Sequence, residues 1–173
     1  MELVRAKLED LDAIAGLYDD VIDKTENMHL HARWKKGLHP TTAGIREYIA
    51  QGAMYLYMDD EKIAGAMAIT TGQGEDYRKI SWGICAEDDE TAVVHILGVN
   101  PEYQGKGVAK RMMDASIRLA RDGGKKALRL DALATNTPAQ HLYLSKGFAY
   151  RGKQNLYAEN TGWTDFYFYE YIL

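Results

Sequence analysis

The sequence predicts a mixed α/β domain, on three observations. Apolar runs of strand length alternate with segments of helical period along the chain. One such run, Ala92 to Val99, breaks at Asn100-Pro101, enters a loop carrying Gly105 and Gly107, and passes into a helical pattern. No repeat, low-complexity stretch or linker interrupts the 173 residues, a length suited to a single core, so one domain over 1–173 is expected.

Leu3 to Lys7 reads as the first strand. Leu11, Ile14, Ala15, Tyr18, Val21 and Ile22 then recur at helical spacing, with Asp10 and Asp12 suited to the helix start. Asp23 to Pro40 has no clean period. Its histidines, His29, His31 and His39, lack a companion cysteine or carboxylate cluster and read as solvated loop residues, so no metal is expected. Thr41 or Thr42 can cap a second helix reaching Gln51, with Ile45, Tyr48 and Ile49 inward. Ala53–Met58 and Lys62–Thr70 form a hairpin about Asp59-Asp60-Glu61. Thr71 to Asp76 reads as a loop, and Tyr77 to Ala86 as partly extended. The acidic run Glu87 to Glu90 is either a solvated turn or a lure for a cation.

In the strand Ala92–Val99, alternation places His95, Leu97 and Val99 on one face. Gly98 implies a bulge or a close backbone approach. The helix Gly107–Asp122 buries Val108, Met112, Ala115 and Leu119 and ends at Gly123-Gly124. Ala127–Leu133 is a further strand. Thr137 as cap and Pro138 as first residue open a helix that stops at Gly147. Phe148–Tyr157 and Trp163–Leu173 close the chain as two strands, the second rich in aromatics and able to extend a sheet across a homodimer.

Composition bounds the function. Apolar residues make up 46% and charged residues 27%, ordinary for a globule, and no apolar run approaches the roughly 20 residues that span a bilayer. Met1 to Arg5 lacks the basic and apolar regions of a secretory leader. The lone Cys85 reads as a buried or half-buried thiol in a reducing cytoplasm. A net charge of −4 argues against nucleic acid and slightly favours a cationic acceptor.

A strand feeding a glycine loop and a helix start makes an anion site, because the first helical N–H groups have no intrahelical partner. The spacing fails a Walker A loop, which would need glycine at Asn100 and Ser or Thr at Gly107. It fails a dinucleotide fingerprint at Lys110. What remains is Gln104-x-x-Gly107-x-Ala109 after Leu97-Gly98-Val99-Asn100-Pro101. This resembles the pyrophosphate loop of the GNAT superfamily of acetyl-CoA-dependent N-acetyltransferases. Asn136-x-x-Ala139-x-x-Leu142-Tyr143-x-x-x-Gly147-Phe148 is similar to that superfamily's second signature, and Arg5-Ala6 to Asp10 resembles its opening.

The resemblance implies a GNAT fold: a mixed, mostly antiparallel sheet of six or seven strands with a splayed parallel central pair and about four helices. It implies acetyl-CoA as co-substrate, its pantetheine arm on the backbone of Leu97 and Val99. The pyrophosphate would lie on Gln104, Gly105, Lys106, Gly107, Val108 and Ala109, and Asn136 would touch the pantetheine or adenosine side. Lys110 and Arg111 are further candidates to neutralise phosphate, and Trp34 is a candidate wall of the acceptor pocket or a loop aromatic pinning the second helix. The implied reaction is acetyl transfer to a primary amine, small or on a protein, by direct attack. Val99 N–H would serve the oxyanion and Tyr143 would act as general acid; Tyr143 also reads as core. His95 is a candidate general base or a core histidine, with Glu87 or Glu90 through water as the next option. A non-catalytic acyl-CoA sensor of the same fold, and an enzyme taking a longer acyl group or a non-amine acceptor, stay open beside it.

Overall fold

A computed structural model describes all of residues 1–173. Seven strands form one sheet: β1 (Glu2–Arg5), β2 (Met54–Asp59), β3 (Lys62–Thr71), β4 (Thr91–Val99), β5 (Ala127–Leu133), β6 (Ala149–Ala158) and β7 (Gly162–Ile172). Their spatial order is β1-β2-β3-β4-β5-β7-β6, and every neighbouring pair is antiparallel except β4–β5. The helices are α1 (Leu11–Lys24), α2 (Thr42–Ala50), α3 (Glu75–Arg78), α4 (Val108–Asp122) and α5 (Thr137–Ser145).

Two apolar cores lie on opposite faces of the sheet. One gathers Ile14, Leu17 and Tyr18 of α1 with Ile45 and Ile49 of α2. The other gathers Val108, Met112 and Met113 of α4 with Leu128, Leu130 and Tyr143. The helical spacing read from the sequence is what supplies both faces. Gly65 on β3 is where α4 comes closest: a Cβ there would lie 2.6 Å from Met112 Sδ and 2.8 Å from the Gly98 carbonyl.

The parallel pair is short. Thr91, Ala92 and Val93 pair with Ala127, Leu128 and Arg129, and no pairing continues beyond them. The strands part from Val94 onward, and a cleft opens between them.

Several expectations change. The single-turn α3 takes Glu75 and Asp76 from the expected loop and Tyr77 and Arg78 from the segment expected to be partly extended. Cys85 is exposed, not buried. Asn136, not Thr137, caps α5, its Oδ1 accepting from Ala139 N–H at 3.3 Å, so Pro138 is the second helical residue. The acidic run is a 3-10 turn whose Asp88 and Glu90 pair with Arg78 and Lys126, well outside the cleft.

Alternation along β4 also fails at one point. The register with β3 jumps between Gly98 and His95, and Ile96 takes φ 45°. This bulge adds one residue to the strand. Ile96 consequently packs with the α1/α2 core, while Leu97 and Val99 pack with the α4 core. His95 stacks on Tyr48 of α2, centroids 5.8 Å apart, so it does not share the face of Leu97 and Val99. Tyr18 O–H donates to the Ile96 carbonyl at 2.6 Å and holds the distortion. The close approach expected at Gly98 is present: a Cβ there would sit 2.9 Å from Tyr18 Cε1.

Candidate active site

The cleft between the splayed strands encloses about 1050 Å³ and continues from the glycine loop to the α1/α2 face of the sheet. Its cofactor end is built of backbone. Gly105 and Gly107 both adopt φ 74°, the left-handed region that glycine enters without a Cβ penalty. That turn points a row of amides outward. The N–H groups of Gly105, Gly107, Val108, Ala109 and Lys110 find no acceptor in the chain, whereas Gln104 N–H bonds Pro101 and Lys106 N–H bonds Tyr103. A row of free amides at the start of a helix with its positive dipole end is a site for a diphosphate.

Leu97 and Val99 line the cleft on the β4 edge that β5 has left. An unpaired strand edge offers N–H and C=O groups to an extended ligand carrying amides. Gln104 is committed differently: its Nε2 donates to Thr25 Oγ1 at 2.8 Å and to the Val99 carbonyl at 3.2 Å, bracing the loop rather than facing outward. The Lys106 ammonium lies over the Tyr103 ring and Arg111 donates to the Lys106 carbonyl; neither side chain lines the cleft. Lys110 does line it. Asn136 borders the cleft while its side chain caps α5.

Tyr143 is 8% exposed, inside the α4-side core against Phe148 and Tyr169. Its hydroxyl bonds no group of the chain and still is not sealed from the cleft it lines. Burial foremost, then the nearby Asp131 and Tyr169, raises its pKa well above the ordinary phenol value. It is therefore a protonated donor at neutral pH. The ring is core, and the hydroxyl reaches the cleft.

His95 Nε2 lies 3.0 Å from Thr70 Oγ1. Burial, with a smaller push from His39, lowers its pKa to about 4, so the imidazole is neutral through the physiological range. Opposite it, across the splay, stands Asp131 of β5, which no motif marked. Tyr77 O–H of α3 donates to Asp131 Oδ1 at 2.5 Å, and Oδ2 has no partner in the chain. Burial raises its pKa, opposed by the Tyr77 bond. Tyr48, Trp34, His39 and Phe166 complete this end. His31 and His39 are not the solvated residues expected. His31 Nδ1 is 3.1 Å from the Thr135 carbonyl, and His39 packs edge-on against Trp34. His29 alone of the three is exposed. The cleft wall expected of Trp34 is there, with its ring edge-on to Tyr18.

With this geometry in place, comparison with known proteins assigns the class. The model of the acetyltransferase (GNAT) family matches residues 16–148, and the chain belongs to that family. It is 34% identical over 70 residues to the mycothiol acetyltransferase of Propionibacterium freudenreichii, covering 39% of this chain and 22% of that one. It is 33% identical over 84 residues to the [ribosomal protein bS18]-alanine N-acetyltransferase of Haemophilus ducreyi, covering 49% and 58%. The chain thus spans a minor part of the mycothiol acetyltransferases it matches. The fold is shared with a Salmonella typhimurium protein solved with its cofactor acetyl-CoA, at a TM-score of 0.73 and 19% identity over 100% of this chain and 94% of that one. The expected fold is the observed one: seven strands, a splayed parallel pair and flanking helices. No helix is long and apolar enough to cross a membrane.

Proposed function

We propose that the chain is an N-acetyltransferase that moves the acetyl group of acetyl-CoA to a primary amine by direct attack. The observation that carries this reading is the set of free amides, Gly105 and Gly107 to Lys110, at the end of a strand edge that β5 has abandoned. Together they accept a diphosphate and an amide-bearing arm in series, two adjoining parts of one coenzyme A.

Lys110 adds positive charge near the diphosphate. The free edge at Leu97 and Val99 aligns the arm, and Val99 N–H serves as donor to the oxyanion that develops when the amine attacks the thioester. Tyr143 O–H, protonated and facing the cleft, donates to the departing thiolate sulfur. His95 accepts the proton that the amine sheds. A neutral imidazole of pKa about 4 does not retain that proton but passes it on to solvent. The amine adds to the carbonyl carbon, the C–S bond breaks, and the products are an amide and a free thiol.

The test is thiol release from acetyl-CoA with a panel of primary amines. Release that depends on the amine supports the enzyme. Saturable acetyl-CoA binding with no release, across amines of every size, makes the domain an acyl-CoA sensor instead.

A further inference from the structure

The acceptor end of the cleft carries a cover that the transfer reaction does not itself require. The segment between α1 and α2 leaves Thr25, which is held by Gln104 Nε2 at 2.8 Å, and crosses to the opposite wall. There it is tied three times. His31 Nδ1 lies 3.1 Å from the Thr135 carbonyl, Thr135 Oγ1 donates to the His31 carbonyl at 3.3 Å, and Asn160 Nδ2 donates to the Arg33 carbonyl at 2.9 Å. Thr135 belongs to the β5–α5 turn and Asn160 to the β6–β7 turn. Asn160 is only 6% exposed, so the last tie is part-buried. Trp34 then returns against Tyr18. The two lips that flank this end of the splay are therefore joined to each other. A polypeptide would have to lie where the strap runs.

The chamber beneath the strap is defined by charge as well as by size. Asp131 Oδ2 is a carboxylate oxygen there with no partner in the chain. No lysine or arginine lines this end; Lys110, the one such residue in the cleft, belongs to the glycine loop. Burial lowers the pKa of His39 and of His95, so neither contributes positive charge at neutral pH. Aromatic faces from Tyr48, Trp34 and Phe166 flank the carboxylate. One carboxylate among aromatic faces suits an ammonium group, through a charge-assisted hydrogen bond and cation–π attraction. It repels a free carboxylate, which an α-amino acid carries.

We propose that the acceptor is a small cationic amine without a carboxylate, admitted beneath the strap and captured as its ammonium ion by Asp131, from which it loses a proton to solvent before the neutral amine attacks, and that peptide and protein amines are excluded. This rests on the acetyltransferase reading above. No bond is made or broken at Asp131 in this role; it binds the acceptor.

Two measurements decide it. Thiol release is compared for n-butylamine, 1,4-diaminobutane, a decapeptide with a free alanine N-terminus and a decapeptide whose only amine is an internal lysine. In parallel, 1,4-diaminobutane is titrated calorimetrically into the coenzyme A-saturated protein as wild type, Asp131→Asn and Asp131→Glu. The expected result is turnover of the amines with kcat/KM at least about 100-fold above either peptide, and a diamine Kd weakened at least about 10-fold by Asn and largely kept by Glu, the scale for losing a hydrogen bond to a charged group. Peptide turnover equal to that of the amines overturns the proposal, as does an Asp131→Asn protein that binds the diamine as wild type does. Diamine that fails to bind the wild type overturns it too. Failure of the acetyltransferase reading has a separate signature, the lack of saturable acetyl-CoA binding, and leaves the diamine titration to judge the chamber.

Discussion

Strand β5 carries two charged residues on one face, Arg129 and Asp131, and they live in opposite circumstances. Arg129 stands where β4 and β5 still pair. It donates to Glu170 at 3.0 and 3.2 Å, to Gln73 at 2.6 Å and to the Ile84 carbonyl at 3.3 Å, and its guanidinium lies 4.2 Å from the Trp82 centroid. Glu170 in turn accepts from Arg151 and from Gly83 N–H. Asp131, two residues on, has one bond and an open oxygen. The difference teaches how to separate structure from function among buried charges. A charge whose every polar atom is answered within the chain holds the fold; one left half-answered beside a cleft is a candidate to bind a ligand.

The sharpest way to break that contrast is to remove Glu170. Glu170→Ala leaves the Arg129 cation buried and unpaired, and should cost about 3–5 kcal/mol of stability, read as a shift in the urea midpoint. Asp131→Asn, by contrast, should move the same midpoint by less than about 1 kcal/mol, because the amide oxygen can still accept from Tyr77 and the charge that burial penalises is removed.

Between those limits lie two predictions at the cleft. Tyr143→Phe keeps the ring in the core and deletes only the hydroxyl. Turnover should fall about 100-fold with acetyl-CoA affinity unchanged, the usual scale for a general acid. The second concerns pH. His95 has a folded pKa of about 4 against an unfolded value near 6.5, so the unfolded chain binds more protons in that window. Stability should therefore be complete above pH 6.5 and decline as pH falls toward 4, and His95→Asn should flatten that decline. For the same reason the acid limb of the rate should follow the pKa of the amine used, with no inflection at 6.5 from His95.

Both motifs and the strand-loop-helix unit were legible because they are local. The glycine loop, the helix faces and the hairpin each depend on residues close in sequence. What escaped notice depends on distant partners. The single turn of α3 has no apolar period; it is placed by Tyr77 reaching Asp131 and by the Arg129 cluster gripping Gly83 and Ile84. The face of His95 was misjudged because strict alternation does not register the extra residue at Ile96. Asp131 does leave a signal in the sequence. Arg129 and Asp131 sit at alternate positions in an otherwise apolar strand, so they must share one face and each must be answered there. Pattern alone points to Thr137 as the cap of α5; its neighbour Asn136 holds that place because its Oδ1 reaches Ala139 N–H.

The strap over the amine chamber ties residues separated by 104 and 127 positions along the chain. Such long closures are the slowest to form, because chain entropy must be spent before any contact repays it. During synthesis from the N-terminus, Asn160 emerges well after the glycine loop and α4 are complete. The cover should be the first part to open in native-state hydrogen exchange, ahead of the sheet beneath it.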